Sequence, residues 1–263
     1  MAARIVLFGA TGYTGRLVAE AMVERGLTPV LAARSQGKLE ALAAELGGGL
    51  ETATADVADP PSVAALVERG DVLVTTVGPF VRYGTPAAAA AVTAGAHYID
   101  STGEPPFIRE VFERYGPPAG DAGTAMLTAF GYDWVPGNLA GGLALERAGA
   151  TATRVDVGYF VTGSGLSASG GTKASLMGVI TEPAFSFRDG QVQTERGAKR
   201  VRSFQVGSKE LQGVSVGSSE HFTLPRLSPR LREVNAYLGW FGPASRAMQA
   251  VSGASSVAMK LPG

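Results

Sequence analysis

Short apolar runs alternate with amphipathic segments along the first half of the chain. Residues 5–8 form an apolar run of strand length, and apolar residues then recur with helical spacing between Tyr13 and Arg25, before Gly26, a typical helix stop. The same alternation predicts strands at 28–33, 51–55, 72–77, 97–100 and 124–128, and helices at 36–46, 61–69, 85–94 and 106–115. Strands that alternate with helices at this spacing predict a doubly wound parallel sheet.

The second half has a different pattern. Residues 153–161 alternate apolar and polar side chains with strand period, and Asp189-Gly190 is typical of a hairpin turn. Further strands are predicted at 200–206, 211–216 and 234–238, and helices at 171–180 and 243–251. We therefore expect an α/β domain at 1–130, followed at 131–263 by an α+β domain with a mixed, mainly antiparallel sheet.

Composition removes several classes of partner and mechanism. The 263 residues carry 23 basic and 23 acidic side chains, so no net charge attracts the chain to nucleic acid. The charges are unevenly placed, because residues 1–150 sum to −6 and residues 151–263 to +6. With no cysteine, the chain has no disulfide and no thiol nucleophile. The longest apolar stretch, 86–96, is too short to span a membrane, and the glycine-studded start is unlike an export signal. We expect a soluble, cytoplasmic protein.

A glycine-rich turn follows the first predicted strand. In Gly9-Ala-Thr-Gly12-Tyr-Thr-Gly15, side chains at the first two glycines would block a phosphate from approaching the main chain. Gly15 allows the helix to pack closely on the strand, and the helix start presents N–H groups to a pyrophosphate. The turn predicts a dinucleotide site; the alternative is a purely structural glycine turn.

Residues after the second strand indicate which dinucleotide binds. An acidic residue there would bind the ribose of NAD, whereas this chain has Arg34 and Ser35, with Lys38 one turn further on. These groups favour the 2′-phosphate of NADP(H). The alternative is a helix cap at Ser35 beside two solvated cations.

Two later strand ends complete the predicted cofactor site. Asp56 and Val57 close the third strand and are placed to flank the adenine, although Asp56 would also serve as a helix cap. Thr76, Val77, Gly78 and Pro79 close the fourth strand, at the edge where such sheets bind ligands.

Five segments resemble the saccharopine dehydrogenase-like oxidoreductases in order and spacing. They are Gly9 to Gly15, Leu31 to Ser35, Thr76 to Phe80, Tyr98 to Glu104 and Gly131 to Pro136. The branch to which the chain is most similar contains the trans-acting enoyl reductases of bacterial lipid assembly. The resemblance is dense in the first half and continues more loosely through residues 169–173.

The resemblance implies an NADP-binding Rossmann domain followed by an α+β domain. It also implies site residues, which are a phosphate loop at Gly9, Thr11, Gly12, Tyr13, Thr14 and Gly15, an adenosine-phosphate determinant at Arg34 and Ser35, and a nicotinamide-side loop at Val77, Gly78 and Pro79. Family members usually have a further C-terminal segment, so the chain is either a short member or truncated. The arginines that bind saccharopine are not found here, which argues against saccharopine as substrate.

Catalytic residues are harder to identify, because hydride transfer asks little of the protein beyond orientation and a proton donor. The Y-x-x-x-K pair of short-chain dehydrogenases follows none of the seven tyrosines. The candidates are polar residues beyond strand ends, namely Tyr83, Asp100, Glu104, Tyr132 and Asp133, together with Lys173 in a Gly-Gly-Thr-Lys turn. Each also has a structural alternative, as a cap, a first-turn acid, a core aromatic or a solvated lysine.

Metal and macromolecular partners receive weaker support. His97 and His221 are far apart in sequence and neither has a second ligand at a suitable spacing, so no metal site is expected. A basic cluster at 196–202, with Arg226, Arg230 and Arg232, is suited to an anionic substrate, a carrier-protein phosphate or a membrane surface; the alternative is a set of charged residues that guard exposed strand edges. Aromatic residues around Trp134 and Trp240 are suited either to an apolar substrate pocket or to a homodimer interface.

The leading interpretation is an NADP-dependent oxidoreductase. It would pass a hydride to an imine, enone or enoyl-type acceptor, a small and partly apolar molecule of lipid or secondary metabolism. The alternative is a non-catalytic NADP-binding sensor or assembly protein.

Overall fold

The chain divides into two compact units. The computed structural model describes residues 3–131, 134–161, 183–240 and 242–258. The first unit comprises Met1–Thr102 and Arg109–Phe130, and the second comprises Gly103–Ile108 and Gly131–Gly263. The segment Gly103–Ile108 thus belongs to the second unit although it precedes Arg109–Phe130 in the chain. The sequence pattern predicts a single boundary after residue 130 and does not predict this segment.

The first unit is built on a six-stranded parallel sheet. Its strands are Ile5–Phe8 (β1), Val30–Ala33 (β2), Thr52–Thr54 (β3), Val72–Thr75 (β4), His97–Asp100 (β5) and Met126–Leu127 (β6). Their order is β3-β2-β1-β4-β5-β6, with every pairing parallel. The order reverses between β1 and β4, where loops at the carboxyl edge leave in opposite directions and open a crevice. The doubly wound parallel sheet expected from the sequence is confirmed.

Helices follow the strands of the first unit. They are Tyr13–Glu24 (α1), Gln36–Glu45 (α2), Pro60–Ala64 (α3), Phe80–Tyr83 (α4), Thr85–Ala94 (α5) and Gly116–Asp121 (α7), with a π-helical turn at Val111–Tyr115. A further helix, Pro105–Glu110 (α6), begins in the segment that belongs to the second unit. One core cluster joins α1 and α2 to the sheet. Its buried members include Ala19 of α1, Leu39 and Leu42 of α2, and Leu7 and Leu31 of the strands. The two leucines of α2 are three residues apart, so one helical face carries both into this cluster.

An ion pair fixes the amino edge of the sheet beneath the switch point. Asp71, just before β4, accepts hydrogen bonds from Arg4 Nη2 at 2.7 Å, from Arg4 N at 3.0 Å and from Glu68 N at 3.0 Å. Burial opposes its ionisation, but the bonds from Arg4 outweigh that effect and hold the pKa of Asp71 below its ordinary value. This pair ties the start of β1 to the start of β4.

The second unit has a mixed sheet, mainly antiparallel as expected. Its strands are Arg154–Tyr159 (β7), Pro183–Arg188 (β8), Gln191–Arg196 (β9), Val201–Val206 (β10), Lys209–Val216 (β11) and Glu233–Leu238 (β12). The order is β10-β11-β12-β8-β9, and β7 pairs in parallel with β12. The helices are Trp134–Ala148 (α8), Glu220–Leu227 (α9) and Ser245–Ala258 (α10). No helix among the described residues is long and apolar enough to cross a membrane.

The sequence pattern did not predict α8 or α9. Helix α8 contains Gly137 and Gly141, which lower helix propensity. Both are required by packing, because a Cβ at Gly141 would lie 2.8 Å from Leu224 Cδ1, and one at Gly137 would overlap the Tyr159 hydroxyl. Helix α9 contains Pro225, a residue that usually ends helices. Tertiary packing therefore overrides local propensity in both helices.

Other predicted boundaries were also wrong. The helix expected at 61–69 ends at Ala64, because the Leu66 N–H bonds the Val63 carbonyl and the Glu68 N–H bonds the Asp71 carboxylate, so neither continues the α-helical pattern. The strand expected at 72–77 ends at Thr75, which leaves the next two residues in the loop at the carboxyl edge. The helix expected at 171–180 lies outside the described residues.

A fully buried carboxyl group begins α9. Glu220 is wholly inaccessible, and its Oε1 accepts a hydrogen bond from the Tyr159 hydroxyl. Burial raises the pKa of Glu220 to about 7. The adjacent His221 is also buried, with Nδ1 accepting the Ser218 N–H at 3.2 Å, and burial lowers its pKa to about 4. The second unit therefore holds two neutral ionisable groups near pH 6.

These two groups make opposite contributions to the pH dependence of stability. Folded Glu220 keeps a proton that the unfolded chain releases between pH 4.5 and about 7, so the free energy of unfolding falls as pH rises through that window. Folded His221 lacks a proton that the unfolded chain binds, so its contribution rises from about pH 4 to 6.5.

Glu220→Gln removes only the first contribution. Relative to wild type, the variant should gain about 3 kcal/mol of unfolding free energy between pH 4.5 and 7 and stay level above that range. Urea unfolding followed by tryptophan fluorescence measures the difference, because both tryptophans, Trp134 and Trp240, lie in the second unit. The exposed Glu210→Gln is the control. A difference between Glu220→Gln and wild type that does not vary with pH would contradict the assignment.

Candidate cofactor site

The glycine turn between β1 and α1 forms the floor of the site. Gly9 has a φ of +92°, in the region that favours glycine, and its N–H bonds the Ala32 carbonyl at 2.8 Å. Gly12 occupies the N-cap of α1, and no side chain among the described residues caps this helix. The first N–H groups of α1 therefore remain available to an anion.

The turn is closed by two contacts that exclude side chains. A Cβ at Gly15 would lie 2.7 Å from the Gly9 carbonyl carbon and 2.9 Å from Ala10 Cα. A Cβ at Gly9 would lie 2.8 Å from Thr76 Oγ1 and 2.9 Å from Val77 Cγ2. The turn is thus packed against α1 on one side and against the loop after β4 on the other.

A cavity of about 600 Å³ opens above this turn. It collects the carboxyl ends of β1 to β4, which is the crevice expected at the switch point. Its lining residues are Phe8, Gly9, Thr11, Gly12, Ala33, Arg34, Ser35, Lys38, Asp56, Val57, Ala58, Thr76, Val77, Gly78 and Tyr83.

One end of the cavity is basic. Arg34, Ser35 and Lys38 are exposed on its wall, and Ser35 starts α2 without a side-chain capping bond. Asp56 also lines this end, but its Oδ1 accepts the Ala58 N–H at 2.9 Å within its own loop. Two cations and a hydroxyl form a suitable site for a ribose 2′-phosphate. The neighbouring Asp56 carboxylate is hydrogen-bonded within its own loop.

The other end lies beyond β4. Val77 and Gly78 supply main chain here, and α4 then carries Tyr83 to the cavity wall. The Tyr83 N–H bonds the Pro79 carbonyl at 2.9 Å, and the Arg82 guanidinium lies 5.0 Å from the centroid of the Tyr83 ring. This end is thus less charged and carries one phenol.

The cavity brings together most, but not all, of the expected cofactor residues. Tyr13, Thr14, Gly15 and Pro79 do not line it: Tyr13 and Thr14 are exposed on the first turn of α1, Gly15 is buried beneath the glycine turn, and Pro79 precedes α4. Three lining residues were missed, namely Phe8, Ala33 and Ala58. Each is the sequence neighbour of an expected site residue, so the position of the strand ends in the sequence could have predicted them.

The expected catalytic residues separate into three groups. Tyr83 lines the cavity, whereas Tyr132, Asp133 and Lys173 lie outside the described residues. Asp100 is buried in the first unit, where Oδ1 accepts the N–H groups of Thr102 and Ala129, each at 2.9 Å, and desolvation raises its pKa. These bonds give Asp100 a structural function.

The remaining candidates lie away from this cavity. Glu104 belongs to the second unit, where its carbonyl accepts the Phe107 N–H at 3.1 Å at the start of α6. His97 Nδ1 accepts the Ala125 N–H at 3.1 Å, a contact that joins β5 to the segment before β6. Among the residues that the structure describes, no cluster of three side chains is suited to a metal ion.

The sequence places this unit in a known family. Residues 5–127 match the family described as saccharopine dehydrogenase NADP binding domain. The first unit of the chain belongs to this family. The expected resemblance to saccharopine dehydrogenase-like oxidoreductases and the expected cofactor NADP(H) are thereby confirmed, and the glycine cradle and basic end of this saccharopine dehydrogenase-type domain fit that nucleotide.

Relatives of this chain carry a more specific name. A Mycobacterium tuberculosis protein provisionally named trans-acting enoyl reductase is 38% identical over 185 residues, which are 67% of this chain and 44% of the relative. A Mycobacterium bovis trans-acting enoyl reductase is 39% identical over 140 residues, which are 51% of this chain and 34% of the relative. The chain thus spans less than half the length of either.

A solved structure extends the likeness in fold to most of the chain. The apo saccharopine dehydrogenase (L-Glu forming) of Saccharomyces cerevisiae matches 90% of this chain and 54% of its own, with a TM-score of 0.54 and 15% identity. At 15% sequence identity, this match supports a common fold and gives no evidence about function.

Arg34→Gln tests the basic end. Loss of one charge-assisted contact to a 2′-phosphate should weaken NADPH binding about tenfold or more and leave NADH binding nearly unchanged. Calorimetric titration with both nucleotides measures this. Arg25→Gln, at the end of α1 and away from the cavity, is the matched control. Equal weakening of both nucleotides would contradict the assignment.

Gly15→Ala tests the turn. Because its Cβ would overlap the Gly9 carbonyl, the substitution should lower the free energy of unfolding by about 2 kcal/mol and abolish tight NADPH binding. Gly37→Ala is the control, because nothing lies within 4 Å of a Cβ there and α2 should gain stability. Hydrogen exchange of the first unit follows both variants. Equal stability of the two would refute the packing argument.

Proposed function

We propose that this chain is an NADPH-dependent reductase that acts on an activated carbon–carbon double bond conjugated to a carbonyl group. The observation that carries the proposal is one cavity with a basic end and a phenol-bearing end at the switch point of the sheet. The enoyl reductase relatives support an enoyl acceptor over the imine that the sequence also left open.

Different residues of the cavity would bind different parts of the dinucleotide. N–H groups of the first turn of α1 would hold the pyrophosphate, and Arg34, Ser35 and Lys38 would hold the 2′-phosphate. Main chain at Val77 and Gly78 would line the nicotinamide ribose. When bound, NADPH supplies a hydride. The protein contributes orientation and exclusion of water.

The acceptor is proposed to be a small and partly apolar molecule of lipid or secondary metabolism. The neutral overall charge gives no support for a nucleic-acid partner. A thioester-linked enoyl group fits this class, since its carbonyl stabilises the anion that forms when the double bond accepts a hydride.

A non-catalytic assembly protein is the second candidate, and one observation favours it. Helix α8 exposes Leu139 and Leu143, and α9 exposes Leu227, with exposed fractions of 64%, 58% and 66%. These three leucines line a groove of about 700 Å³ within the second unit. Large exposed apolar side chains grouped in this way are typical of association surfaces.

Acceptor-dependent oxidation of NADPH decides between the two candidates. The purified chain should oxidise NADPH in the presence of crotonyl-N-acetylcysteamine and form the butyryl thioester, which mass spectrometry detects. Butyryl-N-acetylcysteamine is the matched control, because it has no double bond. A cyclic imine, 2-methyl-1-pyrroline, tests the other acceptor class. Tight NADPH binding without oxidation in the presence of any acceptor would support the assembly protein and contradict the reductase.

A further inference from the structure

Four ionisable side chains line the cavity, and they are unevenly placed. Arg34, Lys38 and Asp56 lie beyond β2 and β3. Tyr83 alone lies beyond β4. The count covers the lining residues in the described part of the chain.

The position beyond β4 identifies which half of a dinucleotide Tyr83 would meet. In a doubly wound sheet the first three strands bind one nucleotide half and the strands across the switch point bind the other. Arg34 and Lys38 place the 2′-phosphate, and hence the adenosine, beyond β2. The nicotinamide half then lies on the β4 side, where Tyr83 is.

The local structure places the Tyr83 side chain at the cavity wall. Phe80 anchors α4 by burying its side chain, and the Tyr83 N–H bonds the Pro79 carbonyl at 2.9 Å. Arg82 stacks on the ring with its guanidinium carbon 5.0 Å from the centroid. Tyr83 is half-buried and lines the cavity.

We infer that Tyr83 is the catalytic proton donor of this site. This inference rests on the reductase function proposed above. Once an enoyl acceptor has received a hydride at its β carbon, it is an enolate with a negative charge shared between the α carbon and the carbonyl oxygen. The Tyr83 O–H bond breaks, its proton forms the new bond at the α carbon, and the phenolate regains a proton from water. The step balances in atoms and charge without another oxidant or reductant.

The first test locates Tyr83 without any acceptor. Tyr83→3-fluorotyrosine gives one fluorine resonance, which is observed during titration with NADPH and with adenosine 2′,5′-bisphosphate, a ligand that fills only the adenosine half. The resonance should shift with NADPH and stay in place with the bisphosphate. Equal shifts with both ligands, or no shift at saturating NADPH, would overturn the inference.

The second test measures the chemistry. Tyr83→Phe should lower the rate of NADPH oxidation with crotonyl-N-acetylcysteamine about 100-fold, leave the Kd for NADPH within about threefold, and remove the solvent deuterium isotope effect. Tyr115→Phe is the matched control. Tyr115 is in the first unit and does not line the cavity.

The outcomes separate the two proposals. If wild type binds NADPH and reduces none of the acceptors, the reductase proposal fails and the proton-donor role fails with it. If wild type reduces the acceptor and Tyr83→Phe does so at the same rate with the same isotope effect, only the role of Tyr83 is overturned. A loss of rate that Tyr115→Phe shows equally would also overturn it.

Discussion

The first unit depends on how closely the Gly9 carbonyl passes beneath the first turn of α1. Because Gly15 has no side chain, the helix lies where a Cβ would come within 2.7 Å of the Gly9 carbonyl carbon. The chain can then turn from β1 into α1 within residues 9–12. The same turn bonds the Ala32 carbonyl through Gly9 N and Ala10 N, at 2.8 and 3.1 Å, so it also fixes the end of β2. Arg34 follows two residues later, and its position at the cavity wall derives from this turn.

The opposite side of the turn sets the other end of the cavity. Thr76 and Val77 occupy the space that a Cβ at Gly9 would need, so the loop after β4 is packed against the phosphate turn. Thr76 Oγ1 also bonds the Gly9 carbonyl at 3.3 Å. One continuous floor therefore joins a basic end to an end with a single phenol. A dinucleotide with one extra phosphate can satisfy this asymmetric charge in one direction only.

Local signals in the sequence predicted the first unit well and the second less well. Helix α5 was expected at 85–94 and is found there, because Pro86 in the first turn and the left-handed Gly95 mark its ends. Helix α8 was missed because glycines are typical of loops. Gly137 and Gly141 are needed in this helix because Tyr159 and Leu224, which are distant in sequence, pack against them. Glycine spacing and Arg34 predicted the floor of the cavity. The burial of Glu220 could not be predicted, since it depends on a contact with Tyr159, 61 residues away in the chain.

A crystal structure of the chain with NADPH tests the central claim most directly. The pyrophosphate should lie over the N–H groups at the start of α1, the 2′-phosphate within hydrogen-bond distance of Arg34, and the nicotinamide beside Gly78 and Tyr83. A nucleotide bound in the reverse direction, or bound outside the cavity above the glycine turn, would contradict it.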